Sequence, residues 1–277
     1  MSAVLKATPP PLRQASLDAA RCALSARGVS RRFRIAGTDL VALAGVDLDV
    51  AAGEFVTILG ASGCGKSTLL RLFAGLDRAD TGTLLHAGVP IAGPSLQRGL
   101  VFQEPRLFPW LTVTQNVATA LLNAPGGPEA KRLAVAEHIA LVGLAGFEDA
   151  WPHQLSGGMA QRAAIARGLV NGPDVLLMDE PFGALDALTR ARLQRELRRI
   201  WERERTTMLL VTHDVDEALL LGTRLVVMTP RPGRIARILD LPRSITRDHA
   251  DPAFARLRAE VLAMLDDGIS TEGPLQP

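Results

Sequence analysis

The sequence predicts an α/β fold built on a mainly parallel sheet, and three observations predict it. Short apolar, β-branched runs recur at Phe55-Val56-Thr57-Ile58-Leu59, Val175-Leu176-Leu177-Met178 and Thr207-Met208-Leu209-Leu210-Val211-Thr212. Stretches of helical patterning separate them, as expected of strands buried on both faces by helices. The third observation is Gly60-Ala61-Ser62-Gly63-Cys64-Gly65-Lys66-Ser67-Thr68, set between the first run and a helix-like Leu69-Leu70-Arg71-Leu72-Phe73-Ala74. Strand, glycine-rich loop, Lys-Ser-Thr and helix make the phosphate-binding P-loop pattern in the context it requires.

The elements follow in order. Residues 1–20 are polar and proline-bearing and are expected to form a loose extension. From Arg21, alternating runs such as Val41 to Val50 predict strands, and Ala51-Ala52-Gly53-Glu54 turns the chain into the P-loop strand. Thr81 to Gly88 reads as further strand and turn. From Thr112 to Leu169 helical patterns dominate, broken at Ala124-Pro125-Gly126-Gly127-Pro128 and at Trp151-Pro152. A helix is expected over Ala187 to Arg203. A short helix, a strand at Arg224 to Met228, a Pro-Gly turn and a last strand near Ile235 to Leu241 follow Thr212. The remaining tail, 242–277, is too short for a separate domain and carries one helix, from Pro252 to about Leu265. No internal period marks a repeat protein.

Composition bounds the function. The 277 residues are 47% hydrophobic, enough to bury a sizeable core, and a net charge of +2 gives no electrostatic case for nucleic acid. Of the 31 cations only Lys6, Lys66 and Lys131 are lysine; the other 28 are arginine. A chain that otherwise writes its cations as Arg keeps Lys in the P-loop, where a compact ammonium suits better than a planar fork. No stretch is long and apolar enough to span a membrane, and Pro9-Pro10-Pro11 lies where a signal peptide needs an apolar run. Any membrane role is therefore expected to come through a partner. Cys22 and Cys64 make no disulfide framework, and a reducing compartment is the default. Cys64 lies in the P-loop, where it is either a thiol activated by helix-end charge or an inert small filler.

The chemistry starts from the loop. Glycines let successive backbone N–H groups converge on one anion, and a helix N-terminus adds partial positive charge. Lys66 is placed to reach the β- and γ-phosphates and the Ser67 hydroxyl to ligate Mg²⁺. Asp179 and Glu180 end an apolar strand. There a carboxylate can meet the metal, and its neighbour can orient or deprotonate water. Alone, the pair reads equally well as a helix cap. Leu155-Ser156-Gly157-Gly158-Met159-Ala160-Gln161 opens a helix with a hydroxyl and bare N–H groups. This is a second anion-binding device, or by itself an ordinary N-cap.

Taken together these motifs closely resemble the ATP-binding subunit of ABC transporters. The resemblance runs from about Arg21 to Leu241. It rests on the Walker A loop Gly60–Thr68, Gln103 as Q-loop, the signature Leu155–Gln161, the Walker B strand Val175–Glu180, Ala184-Leu185-Asp186 as D-loop and His213 as switch histidine. It implies a P-loop NTPase (RecA-like) core with an N-terminal antiparallel β subdomain and an inserted helical signature subdomain at about 104–169.

It also implies ATP and Mg²⁺ as cofactors. Gly60, Ala61, Ser62, Gly63, Cys64, Gly65, Lys66, Ser67 and Thr68 would hold the phosphates. Ser67, Gln103 and Asp179 would organise the metal, with Glu180 the general base and His213 on the γ-phosphate and attacking water. Lys66 and Gln103 count with the catalytic set, and Asp186 with the nucleotide contacts. Two copies would pack head to tail, each ATP held between one P-loop and the other copy's Ser156, Gly157 and Gly158. The chain departs from the family pattern at Met159, where Gln is usual. It also has no tyrosine to stack on adenine, and Phe33 stands at about the right distance to substitute.

No membrane segment is fused, and Phe108-Pro109-Trp110 falls where a membrane permease docks in the family. With Met228-Thr229-Pro230-Arg231-Pro232-Gly233-Arg234-Ile235, this is most similar to the nitrate, sulfonate and taurine importer subunits, aliphatic sulfonates in particular. Such a subunit lies peripherally on the cytoplasmic face of the cell membrane and meets the periplasmic solute-binding protein only indirectly. ABC-type ATPases of DNA repair carry a coiled coil or zinc-binding insertion that is missing between this P-loop and signature. A small-molecule P-loop kinase would not need Ser156-Gly157-Gly158 or His213, and a non-hydrolysing interaction protein would not need Glu180 and His213.

Overall fold

A computed structural model describes residues 22–241 and 251–270. The expected N-terminal extension lies outside these residues. The chain forms two compact units. One holds the described residues up to Ala92 and those from Val211 onward; the other is Gly93–Leu210.

The first unit opens with β1 (Cys22–Ile35) and β2 (Thr38–Ala51), a long antiparallel hairpin whose turn residues Ala36 and Gly37 both have positive φ, 49° and 85°. Glu54 N–H bonds back to Ala51 carbonyl, and the chain enters β3 (Phe55–Leu59) as expected. All five β3 residues are buried, which accounts for the uninterrupted apolar run. The P-loop follows, then α1 (Lys66–Ala74), stopped by Gly75 at φ 75° with its N–H on the Arg71 and Leu72 carbonyls. β4 (Thr81–His86) and β5 (Val89–Pro90) complete an antiparallel sheet in the order β2-β1-β4-β5.

The second unit contains β6 (Arg98–Val101), α2 (Val113–Ala118), a 3₁₀ turn at Thr119–Leu121, and α3 (Pro128–Leu141). It continues through a 3₁₀ turn at Pro152–Gln154 to α4 (Gly157–Leu169), β7 (Val175–Asp179), α5 (Ala187–Glu204) and β8 (Thr207–Thr212), the last two residues of which are counted with the first unit. Its strands lie in the order β8-β7-β6, with β6 and β7 parallel. Gly99 and Gly168 allow β6 and α4 to touch, since a Cβ at Gly99 would lie 2.4 Å from the Gly168 carbonyl oxygen.

The chain then re-enters the first unit with α6 (Val215–Leu221), β9 (Arg224–Met228), β10 (Ile235–Asp240) and α7 (Pro252–Ser270). β9 runs parallel to β3 and antiparallel to β10. Phe254, Leu257 and Val261 of α7 join Val215, Ala218 and Leu219 of α6 and Leu59 of β3 in one buried cluster. α7 therefore contributes to that unit's core. Among the described residues no helix is long and apolar enough to cross a membrane.

Candidate nucleotide-binding and hydrolysis site

In the first unit, the turn from β3 into α1 needs glycine where the sequence has it. Gly63 and Gly65 sit at φ 78° and 99°, in the left-handed region. A Cβ on Gly65 would also lie 2.7 Å from the Ala42 carbonyl oxygen and from Leu43 Cδ2. Gly65 is the α1 N-cap, and its carbonyl accepts the first helical bond, from Leu69 N–H at 2.9 Å. Lys66 is 4% exposed, and its Nζ donates to the carbonyls of Gly60 (2.8 Å) and Ala61 (3.0 Å). The ammonium is thus drawn to the mouth of its own loop. Ser67 and Thr68, half-buried, complete the first turn of α1.

Cys64 is 1% exposed, packed with its Sγ 2.8 Å from where a Gly60 Cβ would stand and 3.9 Å from Lys66 Nζ. Of the two readings of this thiol, the buried filler is the one the packing favours; an alkylating reagent has almost no surface to meet.

His213 follows the last residue of β8 and is exposed. Its neighbours are tightly fixed. Thr212 Oγ1 donates to the Glu217 carboxylate and accepts from Asp214 N–H at 3.0 Å. Asp214 in turn caps α6 through Glu217 N–H at 3.1 Å. Glu217 and Asp214, which carried no signal in the sequence, hold the backbone that presents the histidine.

Phe33 lies half-buried in β1, paired with Leu40. The Arg31 guanidinium covers one ring face at 4.8 Å and is itself pinned by Asp77 and Asp80 at 2.8 and 2.7 Å.

The second unit carries the other motif residues. Asp179 is the last residue of β7 and Glu180 the next, with φ 44°. A left-handed glutamate is uncommon, and the strain is of order 1 kcal/mol or more. It turns the chain sharply: Gly183 N–H bonds Glu180 carbonyl at 3.1 Å and Leu185 N–H bonds Phe182 carbonyl at 3.1 Å. Gln103 is brought to this turn, its Nε2 3.0 Å from the position a Gly183 Cβ would take.

Asp186 is the N-cap of α5, accepting from Leu188 N–H (3.1 Å) and Thr189 N–H (3.0 Å). Hydrogen bonds from Thr189, side chain first and then backbone, hold its carboxyl below the usual range.

Ser156 caps α4 by accepting from Met159 N–H at 3.3 Å, so the departure at 159 leaves the hydroxyl cap intact. A Cβ on Gly158 would stand 2.4 Å from Thr189 Cγ2, and one on Gly157 would be 3.5 Å from Leu185 Cδ2. The D-loop and the start of α5 therefore pack directly on the signature glycines.

The rest of α4 ties this signature to the Gln103 segment. Gln161 Nε2 donates to the Phe102 carbonyl at 3.1 Å, and Arg167 reaches the Arg106 and Pro105 carbonyls at 2.9 and 2.7 Å. The loop beyond is shaped by Asn116, a fully buried side chain that carries no motif signal in the sequence. It accepts from Phe108 N–H at 2.7 Å and donates to the carbonyls of Phe108, Leu111 and Thr112. The closed turn pushes Phe108 and Trp110 outward, 41% and 66% exposed, with ring centroids 5.7 Å apart.

These two sets of devices make the chain a P-loop nucleotide-binding protein of the α/β class. Comparison with known proteins narrows the class. A family model described as ABC transporter matches residues 43–183. The aliphatic sulfonates import ATP-binding protein SsuB of Bacillus subtilis is 49% identical over 221 residues, 80% of this chain and 86% of that one. An uncharacterized ABC transporter ATP-binding protein of Methanocaldococcus jannaschii is 47% identical over 253 residues, 91% of this chain and 94% of that one. Among solved structures, an ATP-binding cassette in a dimeric post-hydrolysis state with ADP and Pi superposes with TM-score 0.70 at 31% identity, covering 79% of this chain and 99% of that one. CbiO1 of Clostridium perfringens, part of an ABC transporter complex, gives 0.73 at 28%, covering 91% and 100%. The chain belongs to the ABC transporter family, and it is an ATP-binding ATPase of that family.

Proposed function

We propose that this chain is the ATP-hydrolysing subunit of an ABC importer for aliphatic sulfonates, taurine and nitrate being the related alternatives. The similarity to sulfonate-import subunits over four-fifths of the chain carries the reading. In it, the backbone of Gly60–Thr68 and Lys66 cradle the ATP phosphates, Phe33 meets adenine beside Arg31, and Asp186 contributes from the D-loop. Glu180 takes a proton from the attacking water, and His213 holds that water and the γ-phosphate. Catalysis is then chiefly positioning and charge stabilisation.

The donors assigned to Mg²⁺ are Ser67 hydroxyl, Gln103 amide oxygen and Asp179 carboxylate. All are hard oxygens, and so few protein ligands suit an ion that keeps waters and takes phosphate oxygens. When bound, the ion neutralises phosphate charge. Two copies would pack head to tail, with Ser156, Gly157 and Gly158 of one facing the ATP of the other.

The exposed Phe108-Pro109-Trp110 turn fits an anchor for the permease, an aromatic cluster on a loop braced by Asn116. The subunit would lie peripherally on the cytoplasmic face of the membrane, with the solute-binding protein beyond the permease. Trp110→Ala should leave the ATPase of the isolated subunit within about twofold of the parent. A truncated hot-spot aromatic should lower solute-stimulated ATPase of the assembled transporter about tenfold or more. Normal assembly and transport in that variant would remove the anchor.

The solute is tested by reconstituting the subunit with the permease and solute-binding protein encoded beside it. Stimulation of ATPase by an alkanesulfonate-loaded binding protein is expected. Stimulation by taurine or nitrate alone would move the assignment to that solute.

A further inference from the structure

The segment after β9, Thr229-Pro230-Arg231-Pro232-Gly233-Arg234, has no role in the assignments above. Yet it lies along the outer wall of the phosphate loop. Its own turn is closed: Thr229 N–H bonds Arg234 carbonyl at 2.9 Å, and Thr229 Oγ1 accepts from Arg234 N–H at 3.1 Å. Gly233 is stitched to β2 on both sides, N–H to Ala42 carbonyl and carbonyl to Ala44 N–H, each at 3.0 Å. It also abuts the loop, since a Cβ at 233 would fall 2.0 Å from Cys64 carbonyl oxygen.

From this fixed turn Arg231 donates through Nε to the Gly63 carbonyl at 3.1 Å. Its Nη2 stands 2.7 Å from where a Gly63 Cβ would be. The engaged carbonyl belongs to Gly63, which takes positive φ, as does Gly65 two residues on. These glycines have the greatest freedom to lose when an anion is bound.

We infer that Arg231 is a positioning residue for the nucleotide phosphates, acting through the Gly63–Cys64 peptide. The guanidinium bond fixes that peptide's orientation before ATP arrives, so less ordering remains to be done on binding. It also keeps a permanent cation beside a loop that receives a polyanion. Arg231 is solvent-exposed, so its share of the attraction is screened by salt. Packing alone would give no such salt dependence. The inference rests on Gly60–Thr68 being the phosphate loop.

The test uses the full-length subunit, with steady-state ATPase at low and high ionic strength and a melting curve for each variant. Arg231→Met should raise KM for ATP about three- to tenfold, between the worth of an exposed ion pair and that of a charge-assisted hydrogen bond. Its kcat should change by no more than about twofold, and its KM should rise less steeply with salt than the parent's. Arg231→Lys should recover the salt dependence and most of the affinity.

A parental KM and salt slope in Arg231→Met would overturn the inference. So would a KM rise that Arg231→Lys does not relieve and that tracks a lowered Tm. Lys66→Ala, run alongside, separates the two levels: if it too left KM unchanged, the loop assignment itself would fall.

Discussion

Glu180→Gln should bind ATP as the parent does and lose turnover by about 10²–10⁴-fold, the usual share of a positioned general base. Glutamine keeps the length and planarity of the side chain and one carbonyl oxygen to orient water, but it cannot take up the proton. The backbone geometry should survive the change, because what makes position 180 unusual is its φ of 44°, which glutamine tolerates as poorly as glutamate. Binding without hydrolysis should also accumulate the head-to-tail pair, so gel filtration of the variant with ATP should show a dimer that the parent loses as it turns over. Phosphate release at near-parental rate would end the general-base assignment, whatever the dimer did.

Lys66→Ala should weaken ATP binding by about 10–100-fold, because charge-assisted hydrogen bonds to phosphate oxygens are lost together with a buried cation. Nζ now donates to the Gly60 and Ala61 carbonyls, and the phosphates would replace these neutral acceptors with charged ones. Lys66→Arg should fail nearly as badly. Lys66 is 4% exposed, and the wider planar fork of arginine should fit poorly where a slender stem and compact ammonium are packed. Titration with a fluorescent ATP analogue measures both variants. Parental affinity in Lys66→Arg would show that charge alone suffices.

Where burial is two-sided the sequence was readable. β3, β7 and β8 are runs of β-branched and aliphatic residues because both of their faces are buried, and their ends were expected within a residue of where they fall. β6 was invisible: Arg98-Gly99-Leu100-Val101 has neither length nor alternation, and its glycine is there for the close approach of Gly168.

The motif residues were legible for a different reason. Phosphate chemistry demands particular side chains at particular spacings within short segments. What holds those segments is written elsewhere. Asn116 shapes the Phe108–Trp110 turn through backbone bonds that no side-chain pattern reveals. Arg231 meets Gly63 from 168 positions away, a separation at which a single sequence gives no hint of contact. The domain roles of residues 1–20 and of 242–250 fall outside the described residues.

The 2.4 Å gap between a would-be Gly158 Cβ and Thr189 has an evolutionary consequence. A side chain at position 158 requires Thr189 to turn, position 189 to shrink or α5 to shift, so drift at the two sites should be correlated among relatives. A descendant copy that no longer hydrolysed ATP would still meet this packing pressure toward glycine. Persistence of the second signature glycine is therefore weak testimony to activity, and so is that of Ser156, which caps α4, whereas exposed Gly157 meets only an ordinary contact and is the freer of the three to drift.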